Sequence, residues 1–194
     1  MVRHYDSSRR RQAARQTHRD ILRAAMKLHA EGITEFKALA LEAGCSVATV
    51  RKHFPTREAL FQNCTRAFAE TLTLPDLPAL AAINDRRQRI EASVAELCRI
   101  HEAMFGYAWL SAQQRKDSPT LDAEMTAYEG LADAVAEIIT PAGSARAALV
   151  RGLLDCLTYR ALRLSGRLSE REAAADLAAT IQTLFSGAGN PPAP

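Results

Sequence analysis

The stretch Phe36-Lys-Ala-Leu-Ala-Leu-Glu-Ala-Gly-Cys-Ser-Val-Ala-Thr-Val-Arg-Lys-His-Phe54 reads as a helix, a glycine turn and a second short helix. Leu39, Ala40 and Ala43 recur at helical spacing and can face a core. Gly44 stands where a helix C-terminus needs a left-handed residue, a conformation that glycine adopts without strain. Ser46 offers a side-chain oxygen to cap the helix that follows. In that helix Val50 and Phe54 share one face, and Thr49, Arg51, Lys52 and His53 show on the other. A short helix with an apolar inner edge and a polar, mostly cationic outer face suits phosphates and base edges.

The flanking segments extend this pattern. Thr17 to Ala30 is expected as a first helix, with Ile21, Ala25 and Leu28 at i, i+4 and i+7. Thr56 is placed to cap a fourth helix from Arg57, whose apolar stripe is Leu60, Phe61, Cys64 and Phe68, running to about Leu72. Leu74-Pro-Asp-Leu-Pro78 is a break and the expected domain boundary. Residues 1–14 are polar and rich in arginine, including Arg9-Arg-Arg11. They read as a flexible basic arm, either reaching into a minor groove or serving as a solubilising tail.

In order and position, the segment from about Arg15 to Leu60 resembles the N-terminal domain of TetR-family transcriptional regulators. Ile21-Leu-Arg-Ala-Ala25 matches the family's first helix, and Glu31-Gly32 its following loop. Ala40, Ala43-Gly44, Ser46, Thr49 and Val50 hold family places, as does His53-Phe-Pro-Thr-Arg-Glu-Ala-Leu60. Two positions depart from the pattern. Arg51 stands where the family usually has a phosphate-touching Tyr, and arginine reaches a phosphate with full charge. Glu35 and Phe36 stand where the family usually has a Thr. Thr34 is then the expected cap, one residue earlier. A carboxylate at Glu35 suits a helix N-terminus but repels a nearby phosphate.

The whole chain sets the frame. Its 194 residues are enough for one large or two small domains. Helical periodicity with few aromatics implies an all-α fold. Residues 1–70 carry 13 Lys and Arg against 7 Asp and Glu, a net of +6. Residues 71–194 carry 12 against 15, a net of −3. The basic balance therefore lies with the helix-turn-helix. No apolar run approaches the ~20 residues that span a bilayer, so no membrane role is expected. The arginines near the start precede no apolar secretory segment. Cys45, Cys64, Cys98 and Cys156 are scattered, which favours reduced thiols and a cytoplasmic protein.

Five helices are expected beyond the break. Asp85 caps one reaching about Phe105, a short one covers Tyr107–Gln114, and Ser118-Pro119 opens one to about Ile139. A long helix is expected over about Ala145–Leu164. The capping box Ser169-Glu-Arg-Glu172 opens the last, to about Phe185. Residues 187–194, rich in Gly and Pro, read as a flexible tail. The last two helices form a hairpin whose apolar residues include Leu149, Leu153, Leu157, Leu177, Ile181, Leu184 and Phe185. Such a hairpin is buried either within a monomer or against a second copy.

The resemblance implies a three-helix DNA-binding domain over 15–74 and a helical ligand-binding and dimerisation domain over 75–186. It implies a homodimer built on that hairpin, so that two reading helices meet a palindromic double-stranded operator. It also implies an unidentified small-molecule effector held within residues 80–165. Candidate lining residues are Arg99, His101, Met104, Phe105, Tyr107, Trp109, Met125, Tyr128 and Tyr159; a packed core explains the same residues. The expected DNA contacts are Thr49, Lys52 and His53 near base edges, with Lys37, Ser46, Arg51 and Arg57 on phosphates. No catalytic constellation, cofactor motif or metal-ligand spacing stands out. The expectation is a dimeric repressor released by its ligand. The alternatives are a TetR-like activator or ligand-independent regulator, and a helical ligand-binding module that has lost DNA binding.

Overall fold

The computed structural model describes residues 7–186, and within them every regular element is helical. The helices are α1 Ser7–Ala30, α2 Phe36–Glu42, α3 Val47–His53, α4 Arg57–Ala69, α5 Leu77–Ala81, α6 Arg86–Ala103 and α7 Phe105–Gln114. After a 3-10 turn at Arg115–Asp117 come α8 Pro119–Ile139, α9 Ala147–Leu153, α10 Cys156–Leu164 and α11 Glu170–Ser186. No helix among the described residues is long and apolar enough to cross a membrane. The chain divides into two compact units. Of the described residues, one holds those up to Thr71 together with Trp109–Asp122, and the other holds Leu72–Ala108 and Ala123–Ser186. The expected tail over 187–194 and the first six residues of the expected arm lie outside the described residues.

The first unit is built on the four helices anticipated from the sequence up to Ala69. Ile21, Ala25 and Leu28 of α1 meet Leu39 and Ala40 of α2, Val50 of α3, Phe54, and Leu60 and Cys64 of α4. Gly44 adopts φ 63° after α2. The Cys45 N–H donates to the Ala40 carbonyl at 2.9 Å and the Gly44 N–H to that of Leu41 at 3.2 Å. This paired pattern closes the helix and turns the chain into α3. Ser46 Oγ accepts from the Thr49 N–H at 3.1 Å, and Thr56 Oγ1 from the Ala59 N–H at 3.0 Å. Both caps fall where the sequence places them.

Two local expectations change. Helix α1 begins at Ser7, ten residues before the expected Thr17, so residues 7–14 are helix and not a loose arm. That stretch lacks Gly and Pro and contains Ala13, Ala14, Arg and Gln, all good helix formers; propensity prevailed over its charge. Thr34 does not cap α2. Glu35 is the capping residue, with extended backbone and no side-chain cap bond. The Thr34 hydroxyl is buried and accepts instead from Arg57 Nη2 at 3.0 Å.

Residues 109–122 complete this unit against α4. Phe61, Leu110 and Leu121 form a small apolar cluster. Above it, Glu58 accepts from Ser118 Oγ at 2.6 Å and from the Thr120 N–H at 2.9 Å. Ser118 Oγ in turn accepts from the Leu121 N–H at 3.2 Å, opening α8 with Pro119 in its first turn, as expected.

In the second unit α6 and α11 pack along their lengths. Ile90, Val94, Leu97 and Cys98 meet Ala173, Leu177, Ala178 and Ile181, with Ala132, Val135, Ala136 and Ile139 of α8 beside them. Alanines at 173 and 178 let the backbones approach. The expected capping box is present: the Ser169 N–H donates to Glu172 Oε2 at 2.8 Å and the Glu172 N–H to Ser169 Oγ at 3.3 Å. The single long helix expected over 145–164 is two, α9 and α10. Asp155 has extended backbone, and its carboxylate accepts from the Leu157 N–H at 2.8 Å. A strong N-cap residue inside an apolar pattern starts a new helix there. Helix α5 was not anticipated; Asp76 caps it, with Pro78 in its first turn.

Candidate nucleic-acid interface

The glycine turn fixes which side of α3 is free. Val50 is wholly buried, while Arg51 and Lys52 are exposed and Thr49 and His53 half-buried. Ser46 is exposed, and its hydroxyl lies 2.9 Å from the Thr49 hydroxyl. The capping pair is therefore also a pair of hydrogen-bonding groups at the start of α3.

Three of the expected phosphate contacts converge. Lys37, Arg51 and Arg57 line one cleft of about 530 Å³ together with Glu35, Phe36 and Thr56. The Arg51 guanidinium lies over the Phe36 ring, 5.3 Å from its centroid, so the aromatic at that departure position steers the arginine. Arg57 is exposed but anchored: it donates to Thr34 and to Gln114 Oε1, and its guanidinium sits 5.6 Å from the Phe61 ring centre. Glu35 is on the same wall, its Oε2 accepting from the Thr34 N–H at 3.2 Å. The cleft carries three cations and one carboxylate and keeps a net positive charge. Thr56 adds the start of α4, where the helix dipole also favours an anion.

His53 belongs to a different cleft, a feature that sequence reasoning missed. It lines a space of about 430 Å³ with Ala14, Arg15, His18 and Arg19 of α1. The His18 ring stacks on Phe54 at 4.7 Å and lies 5.8 Å from that of His53. Burial, followed by the neighbouring His18 and Lys52, holds His53 below the ordinary imidazole range. The signal that could have found this cleft is the four-residue spacing of Arg15 and Arg19, the first of which lies before the expected helix start at Thr17.

The residues singled out for an effector pocket are mostly packed. His101, Met104, Met125, Tyr128 and Tyr159 are buried, and Phe105 and Tyr107 half-buried. His101 is held at both ring nitrogens. Nε2 donates to the Leu154 carbonyl at 3.0 Å, so Nδ1 accepts from the Tyr128 hydroxyl. Burial lowers its pKa to about 4, the Leu154 bond and Asp155 opposing and Arg151 adding to the effect. Tyr159 donates to Glu102 at 2.7 Å, and Glu102 pairs with Arg163 at 2.9 Å. Arg99 is partly exposed, bound to Glu96 and to the Thr73 carbonyl. Trp109 is exposed and falls in the first unit. The second unit has two clefts of about 610 Å³, one between α6 and α11 near Cys98 and one beside Asp133 and Arg151. Neither is lined by the residues expected to do so.

The hairpin residues separate into three groups. Leu149 and Leu157 are 48% and 47% exposed, and Leu164 is 55% exposed. Leu177 and Ile181 are buried inside the unit, so they support the hairpin and cannot form an outer face. Leu153, Leu184 and Phe185 are half-buried against the core, with the Arg86 guanidinium 4.4 Å from the Phe185 ring centre.

No protein-family model and no curated protein matches the sequence. Among solved structures, the chain is similar to a transcriptional regulator from Rhodococcus sp. Rha1. The similarity has a TM-score of 0.60 at 20% identity, covering 90% of this chain and 99% of that one. A TetR transcriptional regulator from Rhodococcus sp. RHA1 aligns at a TM-score of 0.46 and 16% identity, covering 93% and 99%. The chain thus shares, over nine-tenths of its length, the all-α fold of the first of these regulators.

Proposed function

We propose that the protein is a sequence-specific DNA-binding transcriptional regulator of the TetR type, not an enzyme, working as a homodimer in the cytoplasm. The observation that carries this reading is the cationic cleft of Lys37, Arg51 and Arg57 beside the exposed face of α3. The shared fold with a transcriptional regulator supports it. In this reading Thr49, Lys52 and His53 lie toward base edges and the adjoining backbone. Ser46 joins the cleft cations on phosphates. The exposed leucines of α9 and α10 meet those of a second copy, and the twofold dimer matches a palindromic operator.

The sign of regulation follows the most economical scheme, repression relieved by a small molecule. The effector binds within the second unit and favours a conformation whose reading helices no longer fit the operator. Coupling of this kind is typically ~1–3 kcal/mol. The buried His101–Tyr128 and Tyr159–Glu102 bonds are polar groups that an entering ligand would have to replace or exploit. The test is binding of the full chain to mixed-sequence duplex DNA, followed by fluorescence anisotropy across a range of salt. Affinity that falls steeply with salt is expected. Absence of binding at low salt favours instead a helical ligand-binding module without DNA recognition.

A further inference from the structure

The amino-terminal half of α1 is exposed and strongly basic. Residues 8–16 are all exposed, so they bury no apolar stripe. Between Ser7 and Arg19 stand five arginines and no acid, at the end of a 24-residue helix where the backbone dipole is positive. Cations at that end oppose the dipole. A helix there gains from a polyanion laid along it.

The arginines are also ordered in space. Arg11, Arg15 and Arg19 recur every fourth residue, which sets them about 6 Å apart along one face of the helix. Arg15 and Arg19 line the cleft with His18 and His53, and His53 is the last residue of α3. The arginine row therefore begins beside the carboxyl end of the candidate reading helix and continues away from it by two further turns. Arg19 is braced by its bond to Gln16 Oε1 at 2.7 Å, which holds the guanidinium over the helix surface.

We infer that Arg11, Arg15 and Arg19 form a second DNA-contacting element, a helical rail that follows the phosphate backbone beyond the bases met by α3. This rests on the regulator reading above and adds a contact which the helix-turn-helix alone does not supply. Phosphate contacts set register and affinity and carry no base preference. The rail lengthens the footprint and steepens the salt dependence without changing the preferred sequence.

The experiment uses the full chain and the duplex that it selects from a random pool, embedded in longer flanks. Affinity is titrated with salt, and the footprint is mapped with hydroxyl radicals. Three proteins are compared with wild type: the triple Arg11→Ala, Arg15→Ala, Arg19→Ala variant, the corresponding triple Lys variant, and Arg51→Ala. Alanine and lysine both favour helix, so α1 persists in the triple variants. The alanine triple is expected to lower the log–log salt slope by about two to three per protomer. It should also shorten the footprint at its outer edges and leave the selected sequence unchanged, while the lysine triple keeps the wild-type slope. A wild-type slope and footprint in the alanine triple, with Arg51→Ala still reducing the slope, overturns the rail and leaves the regulator reading standing. No enrichment of any duplex by the wild type overturns both.

Discussion

Arg51 and Thr49 are two residues apart on α3 and have different expected roles. Arg51 is held over Phe36 in the cationic cleft. Arg51→Ala should weaken binding to every duplex alike and reduce the salt slope by about one; an unchanged slope in an anisotropy titration removes Arg51 from the interface. Thr49 is paired with the Ser46 hydroxyl. Thr49→Ala should change the order of preferred sequences in a selection and leave the slope intact. Two buried histidines make a separate prediction. His29 is buried with its Nε2 unpartnered, and burial, aided by Arg57, lowers its pKa to about 4. His101 is lowered to about 4 as well. The unfolded chain takes up these protons near its ordinary imidazole pKa and the folded chain does not. Their contribution is thus fully present above about pH 6.5 and is lost as pH falls toward about 4. Urea unfolding at about pH 5 should show stability lower by roughly 2 kcal/mol per histidine than at about pH 7. His101→Asn should remove its share of that slope.

Among the elements, those bounded by strong local chemistry were legible in the sequence. The glycine turn, the Ser46, Thr56 and Asp85 caps and the Ser169 box each fix a helix end within a few residues, and the structure places helix ends there. Beyond the early start of α1 and helix α5, two further features were not legible for physical reasons. Asp155 interrupts an apolar pattern that reads as continuous, because a helix period says nothing about where a cap takes over. Asp155→Ala should cost about 1 kcal/mol in urea unfolding; an unchanged midpoint would mean the break has another cause. The second is the attachment of residues 109–122 to α4. Glu58 finds Ser118 and Thr120 some sixty residues away, and no local pattern announces the pair. Burial raises the Glu58 pKa, but the bonds from Ser118 and Thr120 outweigh it and leave the carboxyl below its usual value. Glu58→Ala leaves Ser118 and the α8 start without their acceptor. Stability should fall by on the order of 1–3 kcal/mol, read from the unfolding midpoint. The same reach over sequence explains the candidate site. The residues of α3 were identifiable in advance, but the neighbours that orient them, Phe36 under Arg51 and His18 against His53, depend on tertiary packing.

For the whole molecule, the regulator reading requires two copies. Leu149 and Leu157 leave about half their surface uncovered on one hairpin, while Leu177 and Ile181 complete the core beneath. Leu149→Lys with Leu157→Lys should therefore yield a folded monomer by sedimentation, with an unchanged far-ultraviolet spectrum. That monomer should bind a half-site weakly and a full operator no better. An unaltered dimer would move the interface elsewhere. The most direct test of the central claim is selection of tight-binding duplexes from a random pool by the wild-type full chain without added ligand. The account predicts a palindromic winner whose affinity falls steeply as salt rises. A pool that shows no enrichment at low salt, or a winner without twofold symmetry, would contradict it.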